Sequence, residues 1–443
     1  MNNHHSNNLL LNLGIESLNE MQLAAQEAIL ENNSVLLLSP TGSGKTLAFL
    51  LPVFETLQPE ILSVQCLIIV PSRELGLQIE QVWKKMGTGY KVNTCYGGHS
   101  METEIKNLSN PPAVLIGTPG RIADHIDRET FRTDKIRTVV LDEFDKSLQF
   151  GFHEEMSFIL SRLPKVDKRI LVSATSDIEI PKYTRVVNPE ILDFTSDNEE
   201  KSNLSIKTVV SEEKDKINTL FRLICSLGSE SALIFCNHRD AAERISDLLN
   251  ARGIYTTYYH GRMDQEERER ALIQFRNGSV SYLVTTDLAA RGLDIPEMKH
   301  VIHYHLPMKE DEFTHRNGRT ARMTAYGTAY VIVHESEKKL DYIDYNQEVF
   351  DIANTVSLPE PPVFQTLYIS GGKKNKLNKI DIVGFFSQKG KLEKGDLGLI
   401  EVKDFVSFAA VKSKKIKELL KNIKDEKMKG KKFKVEIARQ VIK

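Results

Sequence analysis

The stretch VLLLSPTGSGKTLAFLLPVF, residues 35–54, decides the fold class of this chain. An apolar run is followed by a loop rich in Gly, Ser and Thr and then by a second apolar run, which predicts a strand, a tight loop and a helix. Glycines let such a loop curl so that its backbone N–H groups point at phosphate oxygens. Ser39 replaces the first Gly of the usual pattern, where a small residue suffices. The stretch therefore predicts a phosphate-binding loop in which Lys45 contacts the β- and γ-phosphates of a nucleotide and Thr46 ligates Mg²⁺.

A second stretch, RTVVLDEFDKS at residues 137–147, supplies acidic side chains at the end of another apolar run. A nucleotide-hydrolysing site needs a carboxylate on a neighbouring strand to hold the metal ion. Asp142 is the candidate ligand, and Glu143 can position and polarise the attacking water. Phe144 interrupts the acids. We interpret it as packing in a slightly enlarged pocket, with an effect on domain closure as the alternative.

The rest of the chain repeats the alternation of strand and helix. Apolar runs alternate with helical patterns over residues 35–333, and the rhythm restarts after residue 205. Near-continuous apolar strands separated by helices indicate parallel sheets covered on both faces. A polar segment at 196–203 separates the two α/β units, and three prolines within 357–363 form a semi-rigid spacer. We predict two α/β domains, a linker and a C-terminal domain, at residues 1–200, 201–350, 351–363 and 364–443.

The C-terminal segment differs in pattern and in charge. Its predicted order of strands and helices is βαββαβ, which is the order of an RRM-like α+β module that binds RNA. Tyr368 and Phe408 fall where exposed aromatic side chains would stack on bases, with ordinary strand packing as the alternative. Residues 371–443 carry 21 Lys and Arg against 9 Asp and Glu, a net charge of +12, whereas the rest of the chain carries −13. A basic tail on an acidic body indicates a polyanion partner, with Lys373 and Lys374 among the phosphate contacts; a merely solvated Lys-rich tail is the alternative.

Composition limits the other classes of function. The chain has 443 residues, and 41% of them are hydrophobic, as in ordinary globular proteins. No apolar run reaches the length of about 18 residues that a membrane helix needs. The four cysteines are too sparse for a disulfide scaffold or a zinc site. We therefore expect a cytoplasmic monomer without a membrane partner.

These motifs belong to an ordered series that resembles the DEAD-box RNA helicases over roughly residues 14–330, with DEFD at 142–145 in the place of the name-giving motif. The resemblance implies two tandem RecA-like lobes with parallel sheets, ATP and Mg²⁺ as cofactors, and hydrolysis of ATP to ADP and phosphate that depends on RNA. In the first lobe it implies ATP contacts by Gln22, Thr41, Gly42, Ser43, Gly44, Lys45 and Thr46. It implies RNA contacts by Pro71, Arg73, Gly98, Thr118, Gly120 and Arg121. It also implies that Asp145, Ser173 and Thr175 couple hydrolysis to strand separation.

The second lobe resembles the same family through QEER at 265–268, TTDLAARGLD at 285–294 and HRNGRTAR at 315–322. The resemblance implies RNA contacts by Gln265, Arg268 and Thr286 and a ribose contact by Asp294. It adds His315, Arg319 and Arg322 to the catalytic group of Lys45, Asp142 and Glu143. Arginines supplied by a second lobe stabilise the transferring phosphoryl group only when the lobes close. RNA lying across both lobes would favour the closed state and so stimulate hydrolysis.

The chain departs from the family pattern near the adenine-reading residue and in the last motif. No Phe, Tyr or Trp precedes Gln22, and Leu18-Asn19 replaces the usual Pro-Thr step. Ala321 replaces a Gly. These departures predict a modest affinity for ATP.

The C-terminal domain resembles that of the DbpA-type DEAD-box proteins. In that family it tethers the helicase to a structured element of 23S ribosomal RNA, so the resemblance implies a role in assembly of the large ribosomal subunit. Two alternatives remain for the whole chain. It could be an RNA clamp that hydrolyses ATP poorly, or a DNA translocase, and RNA-stimulated ATPase and duplex-separation assays distinguish them.

Overall fold

The computed structural model describes residues 3–40, 42–175, 179–195, 204–287, 298–320, 326–343, 345, 348–352 and 357–438. Thr41, Asp294, Ala321 and Arg322 lie outside these residues. The chain forms two compact units, one built by the described residues up to 195 and one by those from 204 onwards. Among the described residues, no helix combines the length and apolar character that a membrane span requires.

The first unit contains a sheet of seven parallel strands in the order β3-β4-β2-β5-β6-β1-β7. The strands are β1 Ser34–Leu38, β2 Cys66–Ile69, β3 Val92–Cys95, β4 Val114–Gly117, β5 Thr138–Leu141, β6 Lys168–Ser173 and β7 Glu190–Asp193. The helices are α1 Asn3–Leu13, α2 Glu20–Glu31, α3 Lys45–Thr56, α4 Arg73–Met86, α5 Met101–Leu108, α6 Pro119–Asp127, α7 Phe144–Gln149 and α8 His153–Ser161.

Alternate side chains of β1 show that this sheet is covered on both faces. Val35 and Leu37 belong to one apolar cluster with α3, whereas Leu36 and Leu38 belong to a second cluster with α8. A strand buried on both faces needs an unbroken apolar run, as the sequence has. The carboxyl ends of these parallel strands share one edge of the sheet, and this edge carries both the phosphate loop after β1 and the acids after β5.

The second unit begins with a parallel sheet of six strands in the order β10-β11-β9-β12-β13-β8. The strands are β8 Leu204–Ser211, β9 Ala232–Phe235, β10 Thr256–Tyr259, β11 Tyr282–Thr285, β12 His300–His303 and β13 Gly327–His334. The helices are α9 Ile217–Leu227, α10 Arg239–Ala251, α11 Gln265–Arg276 and α12 Glu310–Asn317.

The same unit ends with an antiparallel sheet of four strands in the order β15-β16-β14-β17. Its elements are β14 Phe364–Ile369, α13 Lys379–Gln388, β15 Leu397–Val402, β16 Ser407–Lys412, α14 Ile416–Ile423 and β17 Val435–Ile437. This is the predicted βαββαβ order. The predicted fold class, two parallel-sheet lobes and an α+β domain, is confirmed, whereas the exact domain limits stay a prediction.

Both faces of the C-terminal sheet are covered. Leu367 and Ala409 pack on one face against α13 and α14. On the other face Phe408 packs against Ile273 of α11. A polar contact borders this packing, because the Thr366 hydroxyl lies 2.7 Å from the hydroxyl of Ser279. The C-terminal domain therefore packs on α11 of the second lobe through the sheet face that its own helices leave uncovered.

Candidate active site

The phosphate loop joins β1 to α3 through two glycines with left-handed backbone. Gly42 has φ 89° and Gly44 has φ 91°. The left-handed backbone favours glycine at Gly44, and a Cβ atom there would lie 2.5 Å from Nε2 of Gln22 and displace that amide. The ammonium of Lys45 donates to the main-chain oxygen of Ser39 and so folds back over the loop. The loop has the curled form that a phosphate cradle needs.

Ser39, at the position of the missing glycine, contributes to the loop. Its hydroxyl donates to Oγ of Ser43 at 2.7 Å, and the Ser43 hydroxyl donates to the carbonyl of Pro40 at 2.9 Å. Its main-chain N–H donates to the carbonyl of Ser173 at 3.0 Å. Ser173 ends β6, next to β1, so the predicted coupling motif is hydrogen-bonded directly to the phosphate loop. Oγ of Ser173 also accepts the N–H of Thr175 at 3.1 Å.

Gln22 is held by a capping box at the start of α2. The side-chain oxygen of Asn19 accepts the Gln22 N–H at 2.8 Å, and the side-chain oxygen of Gln22 accepts the Asn19 N–H at 3.0 Å. The remaining amide groups reach the phosphate loop. Gln22 Nε2 donates to the carbonyl of Gly44 at 3.2 Å, and Asn19 Nδ2 donates to that of Ser43 at 3.1 Å. Asn19 was not predicted as a site residue, although the pattern Asn-x-x-Gln signals a capping box.

Asp142 is a desolvated carboxyl group at the tip of β5. Burial, and after it the charge of Glu143, raise its pKa to about 7 against the opposing charge of Lys45. The influence of Lys45 shows that the phosphate loop and the acidic motif meet. A buried carboxylate that lacks sufficient cationic neighbours fits a hard cation, and with the Thr46 hydroxyl it offers the oxygen ligands that Mg²⁺ prefers.

Glu143 has a strained backbone and an unpaired oxygen. Its φ of 45° places it in the left-handed region, which non-glycine residues adopt at a cost of about 1–3 kcal/mol, typically at functional sites. Its N–H donates to Oδ1 of Asp142 at 2.9 Å. Its Oε2 is buried and has no hydrogen-bond partner among the described residues. Such an atom can accept a hydrogen bond from a water molecule that attacks the nucleotide.

The residues after Glu143 are buried in the first unit. Phe144 is fully buried and packs in the apolar cluster with Met156 and Ile159 of α8, which supports the packing interpretation; an effect on domain closure stays the alternative. The ammonium of Lys146, also fully buried, lies 3.2 Å from Oδ2 of Asp145. The sequence did not single out Lys146, because a lysine beside a charged motif looks like a surface residue. The predicted role of Asp145 in coupling hydrolysis to strand separation stays a prediction.

The predicted RNA-binding residues of the first lobe lie beyond the carboxyl ends of β2, β3 and β4. Pro71 and Arg73 follow β2, Gly98 follows β3, and the segment from Thr118 to Arg121 follows β4. The Thr118 N–H donates to the carbonyl of Cys95 at 3.2 Å, which joins the ends of β3 and β4. Gly98 and Gly120 are exposed, whereas Pro71 is buried. The fold thus gathers residues far apart in sequence at one edge of the sheet.

The second lobe contains an arginine that the sequence did not single out. Arg316 is fully buried, and its Nε lies 2.6 Å from Oδ1 of Asp287. Its guanidinium also donates to Oδ1 of Asn237 at 2.9 Å and to the carbonyl of His305 at 2.6 Å. The end of β9, the segment after β11 and α12 are therefore tied together by one cation. His315 and Arg319, on either side of it in the motif, are each 4% exposed.

The other predicted residues of the second lobe are half-buried. Gln265 and Arg268 lie in the first turn of α11, and Gln265 Nε2 donates to Oε1 of Glu269 at 2.8 Å. Thr286 follows β11, and its carbonyl accepts the hydroxyl of Thr285 at 3.0 Å.

The C-terminal domain departs from the expected stacking surface. Phe408, predicted to be exposed, is 1% exposed because α11 covers this face of the sheet. Tyr368 is half-buried, and the guanidinium of Arg270 lies 5.7 Å from the centre of its ring. The alternative interpretation, strand packing, describes Phe408. Lys373 and Lys374 are exposed at the loop after β14, as a phosphate contact requires.

A groove of about 1060 Å³ lies between α11 and the C-terminal domain. Its lining combines the aromatic rings of Tyr368 and Phe433 with charged side chains of both signs, namely Arg270, Lys424, Lys432, Lys434, Glu266, Glu426 and Glu436.

Three family models match the chain. They are the DEAD/DEAH box helicase at residues 19–182, the helicase conserved C-terminal domain at 215–324 and the DbpA RNA binding domain at 366–437. The chain is 30% identical to an ATP-dependent RNA helicase DbpA of Bacillus subtilis, over 96% of this chain and 95% of the relative. It is 35% identical to a DEAD-box ATP-dependent RNA helicase CshA of Geobacillus kaustophilus, over 73% of this chain and 70% of the relative.

Solved structures give the same result. Dbp5 of S. cerevisiae bound to RNA and ADP BeF3 is 28% identical with a TM-score of 0.65, covering 74% of this chain and 88% of that one. Mss116p bound to ssRNA and AMP-PNP is 26% identical with a TM-score of 0.66, covering 75% of this chain and 72% of that one.

Proposed function

Because the chain belongs to the DEAD-box ATP-dependent RNA helicases and carries a DbpA RNA-binding domain, we propose that it remodels the 23S ribosomal RNA during assembly of the large ribosomal subunit. The helicase acts as a monomer in the cytoplasm. The match of the DbpA domain over residues 366–437, with its exposed lysines, is the observation that carries this target.

The nucleotide site supports hydrolysis of ATP by the first lobe. Lys45 and the N–H groups of the curled loop bind the phosphates, and Thr46 and Asp142 would hold Mg²⁺. Mg²⁺ when bound supplies positive charge to the phosphate oxygens. Glu143 orients the attacking water through its unpaired oxygen and accepts a proton from it.

Gln22 reads adenine with an amide that is pre-oriented by Asn19. An amide offers one donor and one acceptor, which match the polar groups on one edge of adenine. Its contact with Gly44 makes the position of the loop sensitive to the adenine site.

Closure of the lobes makes hydrolysis conditional on RNA. Arg319 and Arg322 supply positive charge to the transferring phosphoryl group, and His315 supports them. Arg316 contributes differently, because its ion pair with Asp287 keeps the loops of the second lobe in place. RNA bound by residues of both lobes, including Arg121 and Thr286, stabilises the closed state and separates one strand from its partner.

The C-terminal domain directs this activity. Its sheet face is covered by α11, so its lysine-bearing loops provide the surface that contacts RNA. Docking on α11 gives these loops a fixed direction relative to Gln265 and Arg268 at the start of the same helix. A structured RNA element held by the tail is then presented to the second lobe at a fixed angle.

A comparison of RNA activators tests this proposal. Steady-state ATPase of the full chain is measured with fragments of 23S ribosomal RNA and with unrelated structured RNA of equal length. We expect the ribosomal fragments to stimulate at concentrations at least about tenfold lower, and the Lys373→Glu/Lys374→Glu variant to lose this preference while keeping stimulation by unrelated RNA. Equal stimulation by both RNAs would contradict the ribosomal target. Absence of any stimulation would favour an RNA clamp.

A further inference from the structure

A buried carboxylate lies among the RNA-binding segments of the first lobe. Glu104 of α5 is 2% exposed. Its Oε1 accepts the main-chain N–H of Tyr96 at 3.2 Å and lies 3.1 Å from Nδ1 of His99. Its Oε2 accepts from Nη1 of Arg121 at 2.8 Å and lies 2.9 Å from Nε2 of His125. These four partners occupy the acceptor positions that an ionised carboxylate offers.

The partners of Glu104 belong to two separate segments, one after β3 and one after β4. Tyr96 immediately precedes the two glycines after β3, and the guanidinium of Arg73 lies 4.3 Å from the centre of its ring. Arg121 of the segment after β4 donates from the same Nη1 to the carbonyl of His99 at 3.1 Å. The segments after β3 and β4 thus meet at Glu104, and Arg73 after β2 joins them through the ring of Tyr96. Two hydrogen bonds from one nitrogen fix the orientation of the Arg121 guanidinium.

The electrostatics agree with an ionised Glu104. Burial alone would favour the neutral acid, but hydrogen bonds from His125 and Tyr96 and the charge of Arg121 outweigh it, so the pKa of Glu104 lies below its usual range. Arg121 has only 14% of its side chain exposed, so the pair is little screened by solvent. A contact of this kind restricts both partners to one geometry.

The same cluster resembles a metal site without having the properties of one. Ligand atoms of Cys95, Glu104 and His125 lie within 4.8 Å of one another. However, N–H donors already occupy the carboxylate, and the Arg121 cation lies beside it. Burial also raises the pKa of the Cys95 thiol, whereas a metal ligand must be a thiolate. The cluster is organised around an ion pair.

We propose that Glu104 is a positioning residue for RNA binding, which holds Arg121, His99 and the loop after β3 in the arrangement that contacts the RNA backbone. This inference rests on the proposed RNA-binding role of the first lobe. Groups held in place before binding lose little conformational entropy when the RNA arrives, which strengthens binding without a new contact. Glu104 itself touches no phosphate, because its oxygens face inward and an anion would repel the RNA.

The variant Glu104→Gln tests this role with almost no change in shape. The glutamine NH₂ group would face either the main-chain N–H of Tyr96 or the guanidinium of Arg121, neither of which can accept a hydrogen bond, so one of these two contacts is lost. We expect the RNA concentration for half-maximal ATPase to rise about tenfold or more, while turnover at saturating RNA and the affinity for ATP stay within about twofold of the wild type. Glu102→Gln, the same change at an exposed site of α5, is the matched control and should leave all three values unchanged.

The variant His99→Ala tests the same role if Glu104→Gln fails to fold. His99→Ala removes one partner whose side chain is 32% exposed, and we expect a rise of about two- to threefold in the same RNA concentration. If the folded variants reach half-maximal ATPase at the same RNA concentration as the wild type, the positioning role is wrong. In that case the proposed function still stands, provided that RNA stimulates the wild-type protein. If RNA fails to stimulate the wild type, the proposed function is wrong and this inference falls with it.

Discussion

Gln22 donates its side-chain amide N–H to the main-chain carbonyl of Gly44 across 3.2 Å. The residue that we propose reads the base and the residue that leads the phosphate loop into α3 are therefore in direct contact, 22 positions apart in sequence. The first prediction concerns this contact. Gly44→Ala places a Cβ atom 2.5 Å from Nε2 of Gln22, so Gln22 or the loop must move. We expect the affinity for ATP, measured with a fluorescent nucleotide analogue, to fall about tenfold or more.

The matched control for this change is Gly89→Ala. Gly89 has φ 77°, similar to that of Gly44, but a Cβ atom there would meet nothing within 4 Å. It should cost about 1–2 kcal/mol of stability from the left-handed backbone and leave ATP binding unchanged. Equal loss of affinity in both variants would show that backbone strain alone, and not the Gln22 contact, limits binding.

The second prediction concerns Asn19, the N-cap residue of α2. Asn19→Ala removes the N-cap of α2 and the hydrogen bond to the carbonyl of Ser43. We expect a loss of about 1 kcal/mol in the free energy of unfolding and a several-fold loss of ATP affinity. Asn378→Ala removes an equivalent capping box from α13 in the C-terminal domain. We expect Asn378→Ala to lower the free energy of unfolding by a similar amount and to leave the affinity for ATP unchanged. A wild-type affinity for ATP in Asn19→Ala would contradict the role of Asn19 in positioning the phosphate loop.

The third prediction separates ATP binding from hydrolysis. Glu143→Gln keeps the shape of the side chain but removes the proton acceptor for the attacking water. We expect ATP to bind with near-normal affinity, turnover to fall about 100-fold or more, and the complex with RNA and ATP to dissociate slowly. Single-turnover hydrolysis and RNA dissociation monitored by anisotropy measure both effects. Normal turnover in this variant would remove Glu143 from the catalytic group.

The fourth prediction tests whether Phe144 is structural. Phe144 is fully buried between β5 and α8, so Phe144→Ala leaves a cavity that should cost about 3–5 kcal/mol of stability. At a temperature where the variant remains folded, turnover and the RNA concentration for half-saturation should be unchanged. Phe405→Ala, at a side chain 69% exposed, serves as the control for loss of a ring without a cavity. A change in RNA half-saturation in Phe144→Ala alone would support the alternative, an effect on closure.

The sequence predicted what depends on local pattern and missed what depends on distant contacts. The phosphate loop, the apolar strands and the βαββαβ order follow from residues adjacent in the chain, and all are present. Arg316 and Glu104 were missed because their partners are set by the fold; the contacts of Glu104 with Arg121 and His125 span 17 and 21 residues. Lys146 was missed because its burial, and not its partner Asp145, is set by the fold.

The sequence around Phe408 does contain a signal that this side chain is buried. A sheet with helices on one face alternates apolar and polar residues, but β16 reads SFAAVK and is buried over its first five residues. Such a run indicates that both faces are covered. The covering element, α11, could not have been named from the sequence, because it belongs to another domain.

The last prediction follows from the low pKa of Glu104. A carboxyl group whose pKa is lower in the folded than in the unfolded chain stabilises the fold at pH values above its unfolded pKa, ordinarily 4.5. That stabilisation is lost as the pH falls from there through the lower, folded pKa. The groups that face Glu104 are His99, His125, Arg121 and Cys95. Glu104→Gln should therefore lower the melting temperature at pH 7 more than at pH 4, whereas Glu102→Gln should show no such trend. A melting-temperature difference that does not change between pH 7 and pH 4 would show that Glu104 is not held as an anion.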